Sequence, residues 1–227
     1  MILDPYTWYT ATIITIVRES ANAVSIELDC GRQSYEFAPG QHTVVRVDLP
    51  HHQTKVMRQY SFASAPSSKS IWLCIVQTPG GEVSTWLTHH ARVGDTLEIS
   101  QAFTGPLVQD MVRKKICLIA GGSGIAPLMS HLRERRLNHS PQTILLYSTR
   151  IDSRCFTREL TAQPEETIHV RLTDQSPRLT QADIRQYCAD VDAVLLCGSR
   201  QFVDTLRTYL SKEYSKLPVH AEAFSLS

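Results

Sequence analysis

Residues 116–127, Ile116-Cys117-Leu118-Ile119-Ala120-Gly121-Gly122-Ser123-Gly124-Ile125-Ala126-Pro127, carry the reading that decides the fold. The apolar run Ile116–Ala120 reads as a strand buried on both faces, the kind found in parallel sheets. Three glycines then turn the chain and leave its backbone open to close approach, and a helix pattern follows over Ala126–Asn138. Pro127 falls in the first helical turn, where its missing N–H costs nothing. The order is not the G-x-G-x-x-G fingerprint, since Gly121, Gly122 and Gly124 lead into Ile-Ala-Pro. Strand, glycine turn and helix together predict a seat for a pyrophosphate at Gly122, Ser123 and Gly124.

Downstream of this turn the chain alternates. Strands are expected at Thr143–Tyr147, Ile168–Leu172, Val194–Cys197 and Val219–Phe224, with helices at Cys155–Ala162, Gln181–Cys188 and Phe202–Tyr214. Strands separated by helices mean βαβ units and a parallel sheet. Upstream the grammar is different. Tyr9–Val17, Val24–Leu28, Thr43–Leu49, Gln59–Ala63, Ile71–Val76 and Thr96–Ser100 are short runs rich in Val, Ile, Thr and aromatics, punctuated by Gly31, Pro39-Gly40, Pro50 and Pro79-Gly80-Gly81. One short helix fits Ser84–Ala91. Six strands at near-regular spacing predict a small antiparallel barrel. The chain thus divides into a barrel over 1–104, a linker over 105–115 whose Gly, Pro and Arg113-Lys114-Lys115 suit exposure, and an α/β domain over 116–227.

A chain of 227 residues has room for two such units, each with its own core. Net charge +1 gives no support to a general attraction to nucleic acid or to a membrane surface. No apolar run approaches the roughly 20 residues needed to span a bilayer. The start, MILDPYTWYT, lacks the basic and apolar regions of a signal peptide, so a cytoplasmic location is expected. The six cysteines, Cys30, Cys74, Cys117, Cys155, Cys188 and Cys197, include no C-x2-C pair, so no zinc site or iron–sulfur cluster is expected. Buried free thiols are expected instead. The pairs His51-His52 and His89-His90 lack metal-site spacing. Arg133-Glu134-Arg135-Arg136 reads as the solvated face of a helix, with docking of an acidic partner as the alternative.

Four further stretches bear chemistry. Arg58-Gln59-Tyr60-Ser61 sets a cation, an aromatic face and a hydroxyl side by side on a strand, where alternation sends Arg58 and Tyr60 to one face and Ser61 to the other. Gly80-Gly81-Glu82-Val83-Ser84-Thr85-Trp86-Leu87 opens a helix, whose free N–H groups and partial positive charge favour phosphate. Cys197-Gly198 ends a buried strand ahead of a helix, and Glu222-Ala223-Phe224 lies near the C-terminus. Read without further context, these are also an ordinary strand, a hairpin with a Ser cap, a buried hydrophobic cysteine and an amphipathic edge strand.

Together with the glycine turn, and in this order, they resemble the ferredoxin–NADP reductase superfamily, with R-x-Y-S, G-x-V-S-x-x-L, the glycine loop, C-G-P and E-x-aromatic elements. The resemblance spans essentially the whole chain. It departs at Ser123, where the family usually has Thr, and at Ser199, which replaces the proline of C-G-P. It implies a flavin-binding barrel followed by a nicotinamide domain, with hydride passing from NAD(P)H to FAD. Arg58 is then expected on the flavin phosphate, Tyr60 stacked on the flavin, and Ser61 near N5, with Gln59 in the same motif. Gly81 and Val83 would meet the phosphates through backbone amides and Ser84 would join them. Gly122, Ser123, Gly124 and Pro127 would hold the nucleotide. Cys197 and Gly198 would flank the nicotinamide, Phe224 would cover the flavin face, and Glu222 would assist protonation or docking. Ser61, Cys197 and Glu222 are therefore the expected catalytic set.

Lacking a cluster of its own, the chain is expected to feed a separate iron–sulfur protein or oxygenase. Two other readings stay open: a reductase using flavin as a diffusible substrate, and a non-catalytic subunit of an electron-transfer complex. FAD rather than FMN follows from the phosphate helix. NADPH-using relatives often carry a Ser-Arg pair where this chain has Thr173-Asp174, so NADH is the expected donor, with Arg150 and Arg178 as the residues that argue for NADPH.

Overall fold

A computed structural model describes residues 5–224. Six antiparallel strands make the first sheet: β1 (Trp8–Ser20), β2 (Ala23–Asp29), β3 (His42–Val47), β4 (Val56–Ser61), β5 (Ile71–Val76) and β6 (Thr96–Ser100), in the order β4-β3-β6-β1-β2-β5. The antiparallel bridge between Phe62 and Leu73 brings the two edge strands together and nearly closes the barrel. Closure removes the edges that would otherwise template aggregation. Inward residues such as Ile13, Ile26, Val45, Leu73, Ile75 and Ile99 fill the interior. Helix α1 (Glu82–His89) packs Val83 and Leu87 into the same core, which fixes where its N-terminus points.

The second sheet is wholly parallel. Its strands β7 (Ile116–Gly121), β8 (Thr143–Thr149), β9 (Glu166–Leu172), β10 (Ala193–Ser199) and β11 (Val219–Phe224) run in the order β11-β10-β7-β8-β9. Helices α2 (Ile125–Leu137), α3 (Gln181–Cys188) and α4 (Arg200–Glu213) supply the crossovers. Alternation along the strands sorts the core. Cys117, Ile119, Val194 and Leu196 join Ile184, Val203 and Leu206 from α3 and α4, while Leu118, Ala120, Leu145 and Leu195 face Leu128, Met129 and Leu132 of α2. The strand order reverses between β7 and β10, the place where open α/β sheets bind ligands.

Two expectations need correction. Residues 154–162 form no helix. The Glu19 carboxylate accepts a hydrogen bond from the Phe156 amide, Phe156 has φ +57°, and Arg136 takes the carbonyls of Glu159 and Thr161, so contacts from outside the segment hold its backbone open. Nor are the arginines of α2 a solvated face. Arg133 pairs with Glu159 and Arg136 with Glu166. Arg135 is buried and donates to the carbonyls of Met111, Lys114 and Pro141, and to the Thr143 hydroxyl. The expected exposed linker is exposed at Arg113–Lys115 but anchored by Leu107 and Met111, both in the core beneath α2.

Candidate functional site

A cleft of about 880 Å³ runs between the barrel and the parallel sheet. Strand β4 gives one wall, with Met57, Arg58, Gln59, Tyr60 and Ser61 all reaching the cavity. Residues from both faces of β4, an edge strand, line it. Arg58 and Gln59 are exposed, Tyr60 is half-buried and Ser61 is buried. The Arg58 guanidinium donates to the carbonyl of Met57 at 2.7 Å and makes no ion pair among the described residues, so the fold leaves its charge uncompensated. Burial pushes the Tyr60 hydroxyl above its ordinary value, which keeps the ring neutral.

The turn Thr78–Gly81 and the start of α1 form the next wall. Ser84 donates to the Gly81 carbonyl and accepts from the Thr78 amide, both at 3.1 Å. That leaves Ser84 as the brace of the turn. The N-terminus of α1 has no side-chain cap, so its amide donors are available to an anion. Val83 is wholly buried in the barrel core, so only its backbone can take part. Val44, Cys74 and Val76 give the cleft an apolar stretch.

The parallel sheet closes the cavity with Ser123 and Ala126 from the glycine turn and Glu222, Ala223 and Phe224 from β11. Gly122 adopts φ +54°, a conformation that favours glycine. A side chain at Gly124 would stand 2.4 Å from the Cys197 carbonyl oxygen, so glycine there is what lets the turn lie against β10. Pro127 is buried in the first turn of α2. Cys197 is fully buried beneath Gly124 and stands outside the cleft lining, with its thiol raised well above the ordinary value by burial and by the Glu222 charge. Gly198 is covered by the Phe202 ring, which also lies on Gly121. Ser199 caps α4, its hydroxyl accepting from the Phe202 amide.

The Glu222 carboxylate accepts no hydrogen bond among the described residues, and burial holds it above the usual range. Tyr6 and His42 also line the cleft, and neither stood out in the sequence. His42 is register partner to Ser61, stacks on Phe103, and is kept neutral by burial. Arg150 and Asp174 lie off the cleft, at the ends of β8 and β9. Arg150 pairs with Asp152, and Asp174 accepts from the Ile151 amide.

The arrangement fits a flavin dinucleotide. It offers an unpaired guanidinium, an uncapped helix N-terminus and a flat aromatic face around one elongated cavity, the donor set a phosphate-bearing ring system requires. Among the described residues no cluster of His, Cys, Asp or Glu could hold a metal, and no helix is long and apolar enough to cross a membrane.

Comparison with known proteins agrees. Residues 10–108 match the oxidoreductase FAD-binding domain family. The flavohemoprotein of Candida albicans is 25% identical over 245 residues, covering 97% of this chain and 61% of that protein. The ferredoxin reductase component of 3-ketosteroid-9-alpha-monooxygenase from Rhodococcus rhodochrous is 29% identical, covering 94% and 64%. The chain therefore spans about three-fifths of these relatives' length. The FAD/NAD-binding domain of nitric oxide dioxygenase from Vibrio cholerae superimposes with a TM-score of 0.83 at 21% identity, covering 95% of this chain and 98% of that one. Residues 10–108 thus match an FAD-binding oxidoreductase domain by sequence, and the chain as a whole shares the fold of the FAD/NAD-binding domain just compared, a barrel followed by a parallel α/β unit.

Proposed function

We propose that the protein is an FAD-dependent NAD(P)H oxidoreductase that delivers electrons to a separate acceptor, an iron–sulfur protein or an oxygenase component. The observation that carries this is the single cleft: the R-x-Y-S strand, the α1 turn, the glycine turn and the Glu222–Phe224 strand, far apart in sequence, all line it. Bound FAD would supply the redox chemistry, accepting a hydride equivalent from NAD(P)H and releasing electrons onward. The chain's own part is binding and placement. Arg58 and the α1 amides hold phosphate, Tyr60 supports the ring system, and the glycine turn holds the nucleotide's pyrophosphate. Ser61 and Glu222 face the reacting region from opposite walls, Glu222 as the group able to exchange a proton. Cys197, buried behind Gly124, acts as packing beneath the nicotinamide site. Phe224 covers the ring from the second sheet.

The domains in this reading are 1–104 and 116–227, joined by 105–115. NADH is the preferred donor, because Asp174 stands at the end of β9 and Arg150 is already tied to Asp152; a carboxylate accepts bonds from a ribose hydroxyl and repels a 2′-phosphate. Six free, buried cysteines suit a reducing cytoplasm. The decisive experiment is the absorbance spectrum of purified protein under anaerobic conditions. A flavin band near ~450 nm that bleaches on adding NADH is expected. Colourless protein that oxidises NADH only with added free flavin would replace this reading with a diffusible-flavin reductase. Comparing kcat/KM for NADH and NADPH, with Asp174→Arg beside the wild type, tests the donor.

A further inference from the structure

Cys74 and Cys155 come from different halves of the molecule, 81 positions apart, and their sulfurs stand 2.8 Å from each other. Cys74 sits on β5 and reaches the cofactor cleft; Cys155 lies in the irregular segment after β8. The surroundings are specific. Ser25 is the register partner of Cys74 on β2, and its hydroxyl donates to Glu19 at 2.7 Å. The other oxygen of Glu19 accepts from the amide of Phe156, the residue after Cys155. The Cys155 amide in turn donates to the buried Tyr147 hydroxyl. One carboxylate thus grips both cysteine-bearing segments and lies one hydroxyl away from the Cys74 position.

We propose that Cys74 and Cys155 are a peroxide-oxidised dithiol that closes into an intramolecular disulfide joining the barrel to the parallel-sheet unit. The Cys74 sulfur, its proton passed through Ser25 to Glu19, attacks one oxygen of hydrogen peroxide. An S–O bond forms, the O–O bond breaks, and the departing hydroxide recovers the proton as water. The Cys155 thiol then attacks the sulfur of the Cys74 sulfenic acid. An S–S bond forms, the S–O bond breaks and a second water leaves. Two thiols lose two electrons and peroxide gains them. The sulfurs need to approach by only about 0.8 Å to reach bonding distance. A transient bridge of this kind is the form that disulfides take in a reducing compartment. It would fix the spacing of the two cleft walls.

The molecule contains its own control. Cys117 and Cys188 are also neighbours, with both thiols buried, but they lie in the core between β7 and α3 and away from the cleft. Reduced, folded protein is treated with hydrogen peroxide, then alkylated in denaturant and mapped by mass spectrometry. A Cys74–Cys155 cross-linked peptide is expected, with the loss of two hydrogens, reversal by dithiothreitol and a rise in Tm of about 5–10 °C. Cys117 and Cys188 are expected to remain reduced. In Cys155→Ser the bridge is lost and Cys74 is captured as a sulfenic acid by a 1,3-diketone. Absence of the cross-link in folded protein, or cross-linking of Cys117 to Cys188 at the same rate, overturns the proposal. The readout is a mass and needs no bound flavin, so it fails or succeeds apart from the proposed function.

Discussion

Arg58 holds a charge that the fold does not use. Among the described residues its guanidinium bonds only the carbonyl of its own neighbour, and the side chain is exposed. Arg58→Ala is therefore expected to leave Tm unchanged and to weaken flavin binding by about 2 kcal/mol, roughly thirtyfold, as loss of a charged hydrogen bond does. Fluorescence titration of the flavin-free protein checks this; a drop in stability equal to the drop in affinity would make Arg58 a structural residue. Glu222 is the opposite case, a carboxyl kept in the fold at a cost. Burial raises its pKa, so below about pH 4.5, where the unfolded chain also holds the proton, no penalty is present. The penalty grows as pH rises through the folded value. Glu222→Gln removes it, so at pH 7 the variant is expected to be at least as stable as wild type while NADH-driven reduction slows. Parallel melts and stopped-flow traces decide, and a less stable variant would show the carboxylate bracing β11. Both residues were legible because their chemistry is local to a short motif. His42 was not, since its place beside Ser61 exists only once β3 pairs with β4.

At the scale of elements, periodicity and turn residues were sufficient wherever an element's stability comes from its own pattern. Ile71–Val76 and Gln181–Cys188 match the structure residue for residue, and the latter has its own capping box at Thr180 and Asp183. The segment Cys155–Ala162 has helical composition and no helix, because Glu19 and Arg136, remote in sequence, take its backbone groups. The α2 arginines misled for the same reason: Glu159 and Glu166 reach them only in the folded chain. Helix α2 also carries a buried histidine. His131 bonds the Leu107 carbonyl at 2.9 Å, and burial, with Arg135 adding to it, pulls its pKa down to about 4. The unfolded chain binds this proton from about pH 6.5 downward, so between pH 6.5 and 4 the unfolded state holds more protons and stability rises with pH. The contribution is complete above pH 6.5 and lost on approaching pH 4. Wild type is expected to lose about 2–3 kcal/mol more than His131→Gln between pH 7 and pH 4.5 in urea unfolding. Carboxylates such as Glu98 titrate in both proteins and cancel in the difference. Equal losses would mean that the imidazole titrates freely.

The whole molecule works only if its two halves keep one spacing, since neither lines the cleft alone. The contacts that set this spacing gather on α2 and on the segment after β8. Ser130 donates to the Ser64 carbonyl and Arg133 to the Ala63 carbonyl, both at 2.7 Å. Glu134 accepts from the Ser67 hydroxyl and amide, and Asp152 from Asn22. Ala23, Ala63 and Cys74 of the barrel share a core cluster with Leu128, Met129 and Leu132 of α2. An interface with buried apolar contacts and paired polar groups couples two units more strongly than a flexible linker does. The 227-residue chain is therefore expected to unfold in a single calorimetric transition. Arg133 is the place to break the coupling. Besides Ala63 it holds Glu159 in an ion pair, and its guanidinium lies 5.0 Å from the Phe156 ring. Arg133→Ala would leave a buried carbonyl without its donor and strip the Phe156 ring of its cover, at a cost of about 2–4 kcal/mol. Because that loss falls on the interface and not on either core, the single transition is expected to split into two. The lower one should move upward again when flavin binds across both walls. A variant that unfolds in one transition at a uniformly lower temperature would place Arg133 in the stability of α2 alone and leave the coupling to the shared apolar core.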